Sequence, residues 1–294
     1  MINKLRRLVD RSLFYIESRQ AIKDPIAWRN KYPILPPSDN PIVTFAMPIF
    51  EKRRAPNWDV VLRNLKTSIN AVRAQSNPNW RIIICSQDVP EGIDFDDRVI
   101  FLRYSIPHHG RSDQIFKLRH IARFIARQYR DDGYVFFLDG DDIPHPNLVD
   151  FILKDNNGQG YYIDKGYSAD FGAGVMLETT EQEDRLKPFY LYCGSCSAVR
   201  FDVRNDKSNI LHVALRDNHM SAIEDMKNRV GLELSPIPFP AMIYAVGHGS
   251  SMQDKRARRG NYINLPGVKV MDDQKACAIF SEFGLVVKDN SIAL

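Results

Sequence analysis

The chain has 294 residues, 44% hydrophobic and 26% charged, with 40 basic against 36 acidic side chains and a net charge of +4. Such a length buries a substantial core, and balanced charge with 11% aromatic residues excludes disorder as the main state. Sixteen glycines and four cysteines exclude collagen-like and disulfide-scaffold chains. No apolar run approaches the ~18 residues that span a bilayer, and the N-terminus lacks the apolar core and cleavage site of a signal peptide. The expected location is cytoplasmic, with the inner face of a membrane as a peripheral site.

The whole positive excess lies in residues 1–23, where Lys4, Arg6, Arg7, Arg11, Arg19 and Lys23 outweigh Asp10 and Glu17. Ile2, Leu5, Val9, Leu13 and Ile16 recur at helical spacing beside these charges. A basic amphipathic helix follows, suited either to an anionic membrane surface or to packing on the body or a partner helix. Tyr32 to Pro41 holds four prolines and reads as an extended connector. The neutral remainder and the absence of a recognition motif exclude nucleic acid as a partner.

Ile42 to Met47 reads as a buried strand, Trp58 to Ala74 as a helix, and Arg81 to Cys85 and Val99 to Leu102 as further strands. Residues 113–129 form a basic helix with Ile115, Leu118, Ala122 and Ile125 inward, and Tyr134 to Leu138 is a fourth strand. Strands alternating with helices predict a largely parallel α/β sheet. From about Gly158 the rhythm changes. Tyr161 to Ile163, Gly172 to Leu177 and Ser197 to Arg200 read as short strands, and Asn218 to Val230 as a helix with Asp217 as N-cap. The expected organisation is residues 1–40 as helix and connector, 41–157 as a first, ligand-binding α/β half, and 158–294 as an acceptor-binding half that extends the same sheet.

Ligands of open α/β sheets sit beyond the carboxyl ends of the strands. That selects the loop after Met47, the tripeptide ending in Asp88, and the acidic run Asp139-Gly140-Asp141-Asp142. Three carboxylates in four positions repel one another and resist burial. A divalent cation bridging to a diphosphate compensates them; the bland reading is a polar turn, with Asp142-Ile143-Pro144 opening the next helix. Cys193 and Cys196 form a C-x-x-C without the second ligand pair of a structural zinc site. They read as two reduced cysteines in or near a pocket. His145, between prolines, reads as structural, and nothing in the sequence separates the roles of His108 and His109.

The segment Leu138-Asp-Gly-Asp-Asp-Ile-Pro-His-Pro-Asn-Leu-Val149 resembles the D-x-D region of GT-A fold glycosyltransferases of the family-2 type. Met47-Pro48 and Asp88 are similar to the nucleotide-binding half of that fold. Pro240-Ala-Met-Ile-Tyr-Ala-Val-Gly-His-Gly-Ser-Ser251, followed by Arg258-Arg-Gly260, resembles the carboxyl-terminal signature of bacterial rhamnosyltransferase-like proteins. The resemblance spans roughly residues 40–262. It implies a GT-A (Rossmann-like) α/β fold with a mixed, mostly parallel sheet flanked by helices. It also implies transfer of a hexose or deoxyhexose from a nucleotide-diphosphate sugar to a glycan or lipid-linked acceptor, in bacterial surface-polysaccharide synthesis.

By the same resemblance Asp139 meets the ribose or a metal-bound water, and Asp141 ligates Mn²⁺ or Mg²⁺. His248, between glycines that permit close approach, completes the metal set with Asp139 and Asp141. Pro48, Asp88, Arg111, Lys117 and Asp139 are expected at the nucleotide sugar, with Glu51 and Arg53 as neighbours of ribose or diphosphate. If the anomeric carbon inverts, a carboxylate must deprotonate the acceptor hydroxyl; Asp217, Glu224 and Asp225 are the candidates. Two rivals stand beside this reading. A nucleotidyltransferase of nucleotide-sugar metabolism should show a glycine-rich phosphate loop, whereas Met47 to Arg54 is basic and has no glycine. A non-catalytic carbohydrate-binding protein would need no acidic cluster.

Overall fold

The computed structural model describes residues 19–106, 113–179, 188–207, 209–215, 219–250, 268–285, 287–288 and 291–292. Four parallel strands form its centre: β1 (Ile42–Pro48), β2 (Trp80–Ser86), β3 (Val99–Arg103) and β4 (Asp132–Phe137), ordered β3-β2-β1-β4. Both faces are apolar, as a doubly covered parallel sheet requires. Val43, Phe45 and Met47 of β1, with Ile82, Ile84, Tyr134 and Phe136, face one core, while Ala46, Ile83, Cys85, Val135 and Phe137 face the other. Helix α2 (Trp58–Arg73) covers the first face through Val61, Leu65, Ile69 and Val72, its start capped by the Asn57 side chain. Helix α3 (Gln114–Gln128) covers the second through Leu118, Ile121, Ala122 and Ile125. Ile115, expected inward, is half-buried.

The sheet continues past β4 with β9 (Ser197–Asp202), antiparallel to it, then β6 (Gly160–Tyr162) and the two-residue β10 (Ser235–Pro236). The chain is thus a mixed α/β fold whose central, mostly parallel sheet is flanked by helices, as expected. A second sheet, ordered β12-β8-β7-β11-β5, lies beyond the acidic run. Its strands are β5 (Ile143–Pro144), β7 (Tyr167–Asp170), β8 (Val175–Thr179), β11 (Met242–Val246) and β12 (Val268–Val270). Helix α6 (Asp273–Glu282) adds Ala276, Ile279 and Phe280 to the core of this sheet. Among the described residues no helix is long and apolar enough to cross a membrane.

Three local expectations are corrected. Ile143–Pro144 does not open a helix; it pairs antiparallel with Met242–Ile243, and α4 (Leu148–Asp155) starts after Asn147. The strand expected from Gly172 starts at Val175, because Asp170 accepts from the amides of Gly172 and Ala173 and closes a turn there. The helix expected over 218–230 is one turn, α5 (Ala222–Asp225), widening into a π-turn over Met226–Val230. Helical burial holds only for Ala222, Met226 and Val230, and Gly231 at φ +70° ends the element. Asp217 lies outside the described residues, as do residues 1–18 of the basic segment.

The connector is fastened rather than loose. The Leu35 amide donates to Asp202, and the Ser38 amide and hydroxyl donate to Asp132. Arg200, fully buried, donates to Asp132 at 2.6 Å, and Arg204 pairs with Asp202 at 2.8 Å. Burial pushes the Asp132 carboxyl up, but Ser38, Arg200 and Arg204 outweigh it and hold the group below the usual range. The described residues ahead of the connector pack as well. Trp28 of α1 (Pro25–Lys31) enters the second core, and Arg29 donates to the Val230 carbonyl.

His212 sits against this network, 4% exposed, with Nε2 2.7 Å from the Arg200 carbonyl. Burial lowers its pKa to about 4; the carbonyl bond opposes the shift, and the charges of Arg29 and Arg200 add to it. The unfolded chain binds this proton near 6.5, so stability is intact above that pH and is lost as pH falls toward about 4. Over the whole window the loss is roughly 3 kcal/mol at ~1.36 kcal/mol per unit. Urea midpoints should therefore drop from pH ~7 to ~5 in the wild type and drop less in His212→Gln. Equal slopes for the two proteins would contradict the buried neutral ring.

Candidate active site at the switch point of the sheet

Strand order reverses between β1 and β4, since β1 leads away through α2 on one face while α3 leads into β4 over the other, and such a crevice is where open α/β sheets bind ligands. β4 extends one step further through the Leu138 amide, which donates to the Ala46 carbonyl at 3.1 Å. The chain then turns through Asp139-Gly140-Asp141-Asp142, and its three carboxylates separate into different environments.

Asp142 is the buried one, with no exposed surface. Ser195 Oγ donates to its Oδ2 at 2.5 Å, Cys193 Sγ at 3.3 Å, and the Ala245 amide donates to Oδ1 at 3.1 Å. Burial first, then the charges of Asp141 and Asp139, drives its pKa well above the usual range, against the bonds from Ser195 and Ala245. The Asp142 carbonyl meanwhile accepts from Ser68 of α2 at 2.7 Å. The protein therefore satisfies Asp142 from within its core, while Asp139 and Asp141 face other partners.

Asp139 is partly exposed. Its amide donates to Ser195 Oγ at 2.8 Å, and its Oδ1 accepts from Gln114 at the start of α3 at 3.2 Å. A Cβ placed on Gly194 would lie 2.3 Å from Asp139 Oδ2, so glycine is needed there for the carboxylate to sit where it does. The Cys193-Gly194-Ser195-Cys196 turn is thus the back wall of the acidic loop. Its cysteines are buried free thiols, and burial followed by the Asp142 charge pushes the Cys193 thiol well up.

Asp141 meets His248, 107 positions later, with Nε2 2.9 Å from Oδ2. The imidazole side chain is 4% exposed and the carboxylate 24%. The Ser250 amide donates to His248 Nδ1 at 3.3 Å, which assigns the ring proton to Nε2, facing Asp141. Gly247 and Gly249, at φ +75° and +82°, carry the histidine on a loop that side-chain-bearing residues rarely adopt.

The loop after β1 is tied to its neighbours. Pro48 ends the strand, and the next carbonyl, of Ile49, accepts from Lys117 Nζ at 2.7 Å. Lys117 is 1% exposed and also pairs with Asp113 at 3.0 Å, so its ammonium holds the loop from within α3. Asp113 in turn accepts from Gln87. Asp88 Oδ2 accepts from the Lys52 amide at 2.7 Å, joining the loops after β1 and β2. Glu91, bonded by Lys52 and Trp58, is drawn down to about 2.

The structure thus gathers Pro48, Asp88, Lys117, Asp139, Asp141 and His248 around the carboxyl ends of β1, β2, β4 and β11. Arg111, Asp217, His108 and His109 lie outside the described residues. Glu224 is exposed, and Asp225 accepts from Ser221 at 2.8 Å with Arg229 3.6 Å away. Glu51 pairs with Arg53 at 2.6 Å. His145 has the structural place expected of it, packed on Phe239 and Phe283 with Nε2 3.1 Å from Glu282. Sequence reasoning missed Gln114, Gly194, Ser195 and Asp170. The available signals were the Gly-Ser inside the C-x-x-C and the Asp-x-Gly-x-Gly run from Asp170 to Gly174.

No protein-family model matches the chain. No curated protein matches it by sequence. Among solved structures it is similar to the glycosyltransferase GlyE of Streptococcus pneumoniae TIGR4, at 12% identity over 84% of this chain, with a TM-score of 0.35. The chain spans 61% of that protein's length. It is also similar to Rv0371c of Mycobacterium tuberculosis H37Rv, at 10% identity over 75% of this chain and 99% of that one, with a TM-score of 0.38. A third is a glycosyltransferase involved in glycosylating the major capsid of PBCV-1, at 10% identity over 74% and 98% of the two chains, with a TM-score of 0.40. Similarities this distant decide neither fold nor activity.

Ser195→Ala removes the hydroxyl bonded to both Asp142 and the Asp139 amide. Leaving a buried acceptor short of a partner costs ~1–3 kcal/mol, and urea unfolding should show a loss of that order. Wild-type stability in this variant would mean that the Ser195 bond does not hold the acidic loop.

Proposed function

We propose that the chain is a metal-dependent glycosyltransferase that moves a sugar, of hexose or deoxyhexose type, from a nucleotide-diphosphate donor to a hydroxyl of a glycan or glycolipid. The observation that carries the reading is the meeting of Asp141 with His248 at the crevice between β1 and β4. A carboxylate oxygen and an imidazole nitrogen are an O/N donor set that suits Mn²⁺, with Mg²⁺ able to use the carboxylate alone. Among the described residues no three His, Cys, Asp or Glu side chains are gathered as a complete metal cage. Mg²⁺ is commonly bound through one or two protein carboxylates and completes its shell with water and substrate phosphates. Asp141 and His248 would hold the ion once the ring proton moves from Nε2 to Nδ1 and the Ser250 amide bond is given up, and Asp139, turned by Gln114 and packed on Gly194, stands next to them on the loop.

A divalent cation held by Asp141 and His248 would supply positive charge for a departing diphosphate. The chain's own residues do the rest. Asp142, Ser195 and the Ala245 amide fix the loop that presents Asp139 and Asp141. Lys117 holds the Ile49 carbonyl, and Asp88 holds the Lys52 amide, so the loops that would flank the nucleotide are set before it arrives. The setting in bacterial surface-polysaccharide synthesis follows from the resemblance of the D-x-D and His-Gly segments.

Thermal-shift titration with UDP, GDP and dTDP, each with and without Mn²⁺, tests this directly. A ligand at about 100 times its Kd adds ~2.7 kcal/mol to stability, so at least one nucleotide should raise the wild-type midpoint only when Mn²⁺ is present. Asp141→Ala should abolish that metal-dependent rise, and His248→Ala should reduce it, with both apo proteins folded. The product released from the sugar donor should be a nucleoside diphosphate; release of the sugar 1-phosphate, with the nucleoside monophosphate passing to another acceptor, would instead favour nucleotidyl transfer. Undiminished Mn²⁺-dependent binding by Asp141→Ala would overturn the metal assignment.

A further inference from the structure

His248 is carried by the loop after β11, and something must hold that loop so that Nε2 reaches Asp141. β11 and β7 run parallel and end together, with Val246 opposite Asp170. The Phe171 amide extends the pairing one step further by donating to the Val246 carbonyl at 2.9 Å. Asp170, 8% exposed, then folds its carboxylate back, and Oδ1 accepts from the amides of Gly172 and Ala173, each at 3.0 Å. Held this way, the carboxylate lies against Gly247 with Oδ1 nearest. A Cβ on Gly247 would be 1.8 Å from Asp170 Oδ1, and a Cβ on Gly172 would be 2.2 Å from the Gly247 carbonyl oxygen. Neither approach leaves room for a side chain at either glycine. The residue after this interlock is His248.

We infer that Asp170 is a positioning residue: its carboxylate, clamped by the Gly172 and Ala173 amides, sets the Gly247 backbone and thereby holds His248 against Asp141. The role in metal binding rests on the function proposed above, whereas the geometric role does not. The competing role is a turn cap for the β7–β8 hairpin alone, in which case loss of the carboxylate would loosen the hairpin and leave His248 where it is.

The experiment uses the full chain with Asp170→Ala, Asp170→Asn and His248→Ala, singly and with Asp170→Ala and His248→Ala combined. The first readout needs no metal or nucleotide: the ring-nitrogen NMR signals of His248 at neutral pH. Wild type and Asp170→Asn, which keeps an acceptor oxygen, should show the Nε2–H tautomer, and Asp170→Ala should show a mixture of both. The second readout is the Mn²⁺-dependent affinity for UDP, or for whichever nucleoside diphosphate binds the wild type. Outer partners of metal-ligating histidines typically contribute 10- to 100-fold, so Asp170→Ala should weaken binding by at least about tenfold and Asp170→Asn far less. In the His248→Ala background, Asp170→Ala should cause no further loss. Should Asp170→Ala fail to fold, Gly172→Ala displaces the Gly247 carbonyl instead and should give the same NMR change. Unchanged His248 signals in the folded variant, or losses that simply add to that of His248→Ala, would overturn the inference. Wild-type protein that binds no nucleotide with Mn²⁺ would fail the glycosyltransferase reading, and the NMR result would still decide the role of Asp170.

Discussion

The carboxyl end of the sheet depends on how one acidic group, that of Asp142, is accommodated away from water. It has two acidic neighbours within three positions and no exposed surface. A buried carboxyl persists only with its lone pairs bonded, and here the bonds come from a serine, a thiol and a strand amide. Those three partners belong to two distant stretches of chain. Satisfying Asp142 therefore pins the 193–196 turn and β11 to the loop after β4, and breaking one bond should loosen all three.

From that anchor the positions of the useful groups follow. With Asp142 directed inward, the loop presents Asp139 and Asp141 on its outer side, where Gln114 and His248 meet them. β11 supplies the Ala245 amide to Asp142 and, two and three residues on, Gly247 and His248. One short strand thus both stabilises the loop and delivers the second half of the candidate metal site. The base of the sheet is held in a similar manner by Asp132, Asp202, Arg200 and Arg204, which also bind the N-terminal connector. Carboxylates at both ends of the central sheet thereby tie loops to its strands.

The parts of this arrangement that are legible in sequence are those with a strong local period. β1, β2 and β4 are runs apolar on both faces, and α2 and α3 repeat at helical spacing, so each is read within a residue or two of its bounds. The acidic run stands out because it directly follows such a strand. Apart from β9, of six residues, the strands described in the second half have two to five residues, too short for alternation to declare itself. Its turns are set by side chains: Asp170 replaces the start of an expected strand with a turn. That Asp142, rather than Asp139 or Asp141, is the buried carboxylate depends on Ser195, more than fifty positions away, and no local pattern encodes it. Lys117 reads as a basic residue available to a donor, yet burial places its ammonium on the Ile49 carbonyl and Asp113.

The central claim is that Asp141 and His248 hold a divalent cation together at the switch point of the sheet. Pulsed electron paramagnetic resonance on wild-type protein with Mn²⁺ and a bound nucleoside diphosphate addresses it most directly, because it reports nitrogen bonded to the metal. The account predicts a nitrogen coupling of a directly bonded imidazole, lost in His248→Ala, together with phosphorus coupling from the diphosphate. A Mn²⁺–nucleotide complex that forms on the wild-type protein without any imidazole coupling would contradict it.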